Sequence, residues 1–158
     1  MTKLESERLF LYPVSDEEMQ ILIDQEPDAG MKQAYSEMLQ GCKDTPTNRI
    51  WNAVWFMVLK DSPGVVVGDF SFKGLGRNGM VEIGYGLKEG YRHKGYMTEA
   101  VRTVAKWAMS QEGVCRVEAE TTVENEASRR VLERAGFHAM GVCGEEGPRY
   151  LYRENTEQ

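Results

Sequence analysis

Met80–Ala108 reads MVEIGYGLKEGYRHKGYMTEAVRTVAKWA, and the fold turns on a change of period halfway along it. From Met80 to Leu87, the apolar Val81, Ile83, Tyr85 and Leu87 alternate with Met80, Glu82, Gly84 and Gly86, which predicts a strand. From Met97 the spacing lengthens. Met97, Ala100, Val101, Val104, Ala105 and Ala108 form one stripe, with Glu99, Arg102, Thr103 and Lys106 on the other side, which predicts a helix. Arg92-His93-Lys94-Gly95-Tyr96 joins the two. A strand running through a basic turn into a helix start presents unpaired N–H groups at the positive end of a dipole, a place that suits phosphate. One glycine in a basic turn is equally consistent with an ordinary connection.

Arg92–Met97, RHKGYM, resembles the acyl-CoA-binding signature of the GNAT N-acetyltransferase superfamily, Gln/Arg-x-x-Gly-x-Gly/Ala. Arg92 matches the first position and Gly95 the central glycine. Met97 stands where the family has a small residue, at a position that contributes mainly its backbone N–H. The longer text EIGYGLKEGYRHKGYMTEA is similar to the branch containing the ribosomal-protein N-terminal acetyltransferases. The resemblance implies acetyl-CoA as cosubstrate and no metal. It implies a diphosphate held along Arg92, His93, Lys94, Gly95, Tyr96, Met97 and Thr98, and a pantetheine arm bonded to backbone near Tyr85, Gly86 and Leu87.

The 158 residues suit one domain, 1–158, with room for a core and none for a second catalytic unit. With 28% charged and 41% hydrophobic residues the composition is that of a globular protein, and no apolar run reaches membrane-spanning length. MTKLESERLFLYPV lacks the apolar segment of a secretory leader, so a cytoplasmic location is expected. The net charge of −6 argues against direct nucleic-acid binding and mildly favours a cationic partner. Cys42, Cys115 and Cys143 show neither metal spacing nor a disulfide framework; Cys115 is expected to be a small core residue.

Leu9–Val14 predicts a first strand, and Ser15 with Glu18 three residues on predicts a capping box opening a helix. Pro27-Asp28 breaks it, a second helix follows over Met31–Leu39, and Gly41 is expected to end it. Asp44–Ile50 is expected to be loop. Trp51–Leu59 and Val65–Phe72 predict a hairpin turned at Asp61-Ser62-Pro63-Gly64, and Gly74–Gly79 turns again into the Met80 strand. After the Met97 helix, closed by Gly113, Val114–Thr121 predicts a fifth strand. Strand, helix and strand make a crossover, so the fourth and fifth predicted strands should be parallel. A helix capped by Asn125 and ended at Gly136, a strand over Phe137–Val142, a turn and a short strand at Tyr150–Tyr152 complete the chain before a polar tail. The fold class is therefore mixed α/β: one mostly antiparallel sheet with a single parallel pair and helices on both faces.

Glu82 is a carboxylate in an interior strand, on a face shared with Gly84 and Gly86 that leaves room for a ligand. It can orient an amine and take its proton, or it can pair with an arginine on the sheet; relatives often carry a glutamate at this place. Asn125-x-x-Ser128, followed by Gly136-Phe137, also resembles the family, in which the asparagine lies near pantetheine and a serine protonates the departing thiolate. Capping explains Asn125 without a ligand, and a bond to its own helix explains Ser128. The tyrosine that many relatives use as acid has no counterpart between Ser128 and Ala135. Glu145 and Glu146 could face a positive substrate, and Trp55 the acceptor pocket; His138 receives no role.

These readings lead to an N-acetyltransferase moving an acetyl group from acetyl-CoA to a primary amine, either a peptide N-terminus or a small-molecule amine. Glu82 and Ser128 are the candidate catalytic residues. The alternative is a non-catalytic CoA-binding sensor or structural module of the same fold. The exposed strand edges permit a homodimer.

Overall fold

The computed structural model describes residues 2–88 and 90–154; the last four residues of the expected polar tail lie outside them. Eight strands, β1 (Leu4–Glu5), β2 (Leu9–Pro13), β3 (Val54–Leu59), β4 (Val66–Leu75), β5 (Met80–Leu87), β6 (Arg116–Glu120), β7 (Phe137–Cys143) and β8 (Pro148–Tyr152), form one sheet in the order β1-β2-β3-β4-β5-β6-β8-β7. Every neighbouring pair is antiparallel except β5 and β6, the expected parallel pair. β8 is threaded between β6 and β7, so β7 and not the last strand forms the sheet edge. β1 is too short to leave a periodic signal, and its presence shifts the strand numbering by one.

Four helices, α1 (Asp16–Gln25), α2 (Ala29–Asp44), α3 (Tyr96–Met109) and α4 (Glu126–Arg134), cover the two faces unequally. The stripe of α3 packs on Leu11, Met57, Val81, Ile83 and Val117, and Leu132 of α4 joins the same core. Trp55 has no exposed surface there, stacking 5.3 Å from Phe70 and donating its indole N–H to the Ile50 carbonyl at 2.9 Å. It therefore belongs to the core and not to an acceptor pocket. On the opposite face, Met19, Ile23, Tyr35 and Leu39 of α1 and α2 close over Val14 and Val54. That second core reaches only β2 and β3. The same face of β4 and β5 carries Asp69, Ser71, Gly84 and Gly86 instead, with Asp69 opposite Gly86 and Ser71 opposite Gly84.

Local chemistry accounts for most boundaries. Ser15 and Glu18 make the reciprocal capping box at the start of α1, and Asp28 caps α2 by accepting from the Met31 N–H at 2.8 Å. α2 runs on through Gly41 to Asp44, contrary to expectation, because Gly41 serves a close approach. A side chain there would lie 3.0 Å from Asn52 Oδ1. The expected loop after it is a 3₁₀ turn over Pro46–Trp51, with Pro46 at its first position, so β3 starts at Val54 and not at Trp51. β6 begins at Arg116, leaving Cys115 exposed rather than in the core; its N–H closes on the Gly79 carbonyl at 2.6 Å.

The β7–β8 turn depends on glycine for steric reasons. A methyl group on Gly147 would stand 2.3 Å from the Thr121 carbonyl oxygen, against rigid backbone at the end of β6. At Gly64, in the exposed β3–β4 turn, nothing lies within 4 Å of the same addition. Gly147→Ala is thus expected to cost about 2 kcal/mol or more in urea denaturation, and Gly64→Ala about 0.5 kcal/mol or less. Equal midpoints for the two variants would show that the turn moves freely away from Thr121.

Candidate active site

β5 and β6 are paired only over Met80–Ile83 against Arg116–Ala119. β5 then continues to Leu87 along β4, while β6 turns toward β8, so the two strands part and the upper half of β5 has an unladdered edge. Tyr85 reaches across this gap. Its hydroxyl lies 2.8 Å from Ser128 Oγ and donates to the Ser128 carbonyl at 3.2 Å. Burial drives the phenol up to about 12, against the opposing effect of the Ser128 hydrogen bond, so the group keeps its proton at neutral pH. Asn125 caps α4 by accepting from the Ser128 N–H at 3.0 Å, which fixes Ser128 in the first turn facing Tyr85.

The far end of β5 leads through the Arg92–Gly95 turn to the start of α3. Gly95 is its N-cap, with φ 80° and no side-chain oxygen bonded to the first amides, so Tyr96, Met97 and Thr98 begin the helix uncapped. Arg92, His93, Lys94 and Gly95 are exposed around it, and His93 holds φ 64°, rare for a residue with a side chain. Met97 is buried in the core, so at that position only the backbone faces the turn. Arg8, which no local motif singles out, braces the loop. It donates to the Lys94 carbonyl at 2.9 Å, covers the Tyr96 ring at 4.3 Å and pairs with Glu99 at 2.8 Å. Glu99 also accepts from the Arg8 N–H at 2.7 Å and from the Ser6 hydroxyl.

Glu82 lies below the gap in a cluster of charge. Its carboxylate binds Lys73 at 2.8 Å and Arg149 at 3.2 Å, the arginine pairing that the sequence left open beside a catalytic role. Arg149 also binds Glu118 at 2.8 Å and Glu120 at 2.6 Å. Glu118 is 2% exposed; its second oxygen comes within 2.7 Å of Arg116 Nε without the angle of a hydrogen bond. Glu146 donates its N–H to Glu120 at 2.5 Å and faces Lys73 at 3.6 Å, which ties it into the cluster. Burial opposes the charge on Arg149, and its three carboxylates outweigh that, holding it well above the ordinary arginine range.

Asp69, a lone carboxylate within VVVGDFSF, carries the same sequence signal as Glu82. It lies on the uncovered face beside Gly86, where a methyl group would come 3.9 Å from its Oδ1. Burial raises its carboxyl above the usual range, and the Lys88 charge only partly opposes this. A groove of about 850 Å³ lined by Arg102, Lys106, Arg134 and His138 lies among the ends of α3, α4 and β8 and contains none of these groups.

The model of the acetyltransferase (GNAT) domain matches residues 3–138, and the chain belongs to that family. Over 83 residues it is 37% identical to the uncharacterized N-acetyltransferase YjdG of Bacillus subtilis, a match covering 52% of this chain and 49% of that protein. The chain thus spans about half the length of that curated relative. An acetyltransferase from Agrobacterium tumefaciens superposes with a TM-score of 0.73 at 19% identity, covering 98% of this chain and 95% of that one. RimL, a ribosomal L7/L12 alpha-N-protein acetyltransferase solved with coenzyme A, gives 0.71 at 16% identity, covering 95% and 97%. At these identities the superpositions establish the fold.

Glu99 gives the site a measurable acid limb. Burial alone would raise its carboxyl, but hydrogen bonds from Ser6 and from Arg8, with the guanidinium charge, hold it below the usual range. A carboxyl depressed on folding contributes its full stability above the unfolded value and loses it as pH falls through the folded one. Glu99→Gln should therefore lower the melting temperature at pH 7 and narrow the gap from wild type as pH drops below about 4. A gap that stays constant with pH would show that Arg8 and Ser6 do not stabilise the ionised form.

Proposed function

We propose that the protein is an N-acetyltransferase that moves an acetyl group from acetyl-CoA to a primary amine, either a protein N-terminus or a small-molecule amine. The observation that carries this reading is the parting of β5 from β6 after Ile83, on a strand whose far end leads through the Arg92–Gly95 turn into the uncapped start of α3. The residues present fit coenzyme A: an open helix start amid exposed basic side chains suits a diphosphate, and an unladdered strand edge suits an amide-bearing arm. Arg92, His93, Lys94 and Gly95, with the amides of Tyr96, Met97 and Thr98, would hold the diphosphate. The backbone of Tyr85, Gly86 and Leu87 would hold the pantetheine, with Asn125 beside it.

When bound, acetyl-CoA supplies the acetyl group as a thioester already activated toward amines. The protein has to position the amine, stabilise negative charge on an oxygen and return a proton to sulfur. A β5 N–H at the open edge suits the second task. Ser128 suits the third, with the Tyr85 hydroxyl behind it to replace the proton. Glu82, at the foot of the gap, is the carboxylate that the sequence offers for the amine, and Lys73 and Arg149 share it. Holding two reactants in one slot accounts for much of the rate.

A second reading, a CoA-binding module without turnover, draws on the engagement of Glu82 by Lys73 and Arg149, which leaves that carboxylate without a free oxygen. Thiol release from acetyl-CoA across a panel of amines and peptides separates the two readings. Turnover with at least one acceptor is expected. In calorimetry, coenzyme A should bind in the micromolar range, and Arg92→Ala combined with Lys94→Ala should weaken it about tenfold. Ser128→Ala should reduce kcat about a hundredfold and leave coenzyme A affinity within a factor of three. Binding without thiol release for any acceptor would establish the module instead.

A further inference from the structure

The geometry points to Asp69, rather than Glu82, as the carboxylate that receives the protonated amine and removes its proton. This assignment rests on the acetyltransferase reading and names a residue which that reading does not. Three features set Asp69 apart. Among the described residues it has no hydrogen-bond or ion-pair partner, whereas both oxygens of Glu82 face cations. It stands on a rung of the sheet that runs Tyr12, Phe56, Asp69, Gly86, with side chains on the face that α1 and α2 leave bare beyond β3. The positions beside it on β5 are glycines. A methyl group would meet nothing within 4 Å at Gly84, and only Asp69 Oδ1, at 3.9 Å, at Gly86.

A ligand reaching the backbone of Gly84–Gly86 from this face therefore passes the Asp69 carboxylate. The groups facing Asp69 are the Tyr35 phenol from α2, Lys88 just beyond β5, and the non-titrating Phe56 and Gly86 on the flanking strands. Tyr35 is itself pushed up to about 12, by burial first and then by the Asp69 and Glu26 charges, so it stays neutral and adds no competing cation. Phe56 and Tyr35 present largely apolar surface beside the carboxylate, whose negative charge suits a primary ammonium. In the step assigned here, one N–H bond of the ammonium breaks and its electron pair stays on nitrogen as the nucleophilic lone pair. The proton forms an O–H bond on Asp69 and leaves to water along the glycine face.

Burial, by raising the Asp69 carboxyl, brings its basicity closer to that of an amine and improves it as a proton acceptor. Two measurements test the assignment. In the free wild-type protein, carbon-13 NMR of the aspartate carboxyls should show Asp69 titrating above the other aspartates. Its resonance should also shift on addition of any amine that the panel shows to be acetylated. In steady-state kinetics, Asp69→Asn should lower kcat/KM about a hundredfold for an alkylamine or peptide N-terminus. It should change kcat/KM less than threefold for a weakly basic amine already neutral at the assay pH.

Asp69→Glu should restore part of the loss, and Glu82→Gln should spare the acid limb of the pH profile. The assignment is overturned if the Asp69 carboxyl titrates normally and ignores the amine. It is equally overturned if Asp69→Asn slows both kinds of amine alike, or if Glu82→Gln alone abolishes the acid limb. If no amine is acetylated by the wild type, the acetyltransferase reading fails, while the NMR titration still decides whether Asp69 binds an ammonium.

Discussion

Three glutamates on neighbouring strands, Glu82, Glu118 and Glu120, share one guanidinium, that of Arg149. Like charges so close would drive β5 and β6 apart, and Glu118 is too deeply buried for water to screen it. Removing one partner from a buried ionic cluster typically costs about 3–5 kcal/mol, since the remaining charges stay desolvated. Arg149 lies on the strand inserted between β6 and β7, so that insertion supplies the counter-charge. The cluster binds the lower half of the parallel pair together. Where it ends, β5 follows β4 and β6 follows β8, and the slot opens.

The two faces of the sheet then serve different ends. α3 and α4 pack on one, and their N-termini bring the open amides of the Gly95 turn and the Ser128 hydroxyl to the mouth of the slot. On the other, α1 and α2 stop short of β4, leaving a strip floored by Gly84 and Gly86 and bordered by Asp69. A cosubstrate bound from the first face and an amine arriving at the second would meet through the slot with little motion of the backbone. Tyr85 joins the two faces, with its backbone on the open edge and its phenol against Ser128.

Much of this was legible in the residues. The change of period at Met97 gave the parallel pair, Ser15 and Asn125 gave helix starts, and the turn with Gly95 gave the start of α3, because each depends on neighbours along the chain. What escaped notice depends on neighbours across the sheet. Gly41 looked like a helix stop, and only the packing of Asn52 explains it as a close approach. Cys115 followed the alternation of its strand, yet the ladder begins one residue later. Trp55 could have lined a pocket or filled the core, and the stacking on Phe70 places it in the core. Arg149 and Arg8 carry no motif at all; each acts through partners distant in sequence. Asp69 carries the same signal as Glu82, a charge inside an apolar strand, but its setting beside Gly86 and Tyr35 depends on residues distant in sequence.

Arg8 and Ser6 extend from the segment between β1 and β2 to the first turn of α3, through Glu99, the Tyr96 ring and the Lys94 carbonyl. Through these bonds, fraying of the outermost strand and loosening of the Arg92–Gly95 turn become a single event. By reciprocity, a ligand that orders the turn also fastens the strand, and a perturbation of that strand weakens the ligand by the same free energy. Protease resistance near Leu4 would therefore report whether an anion occupies that turn.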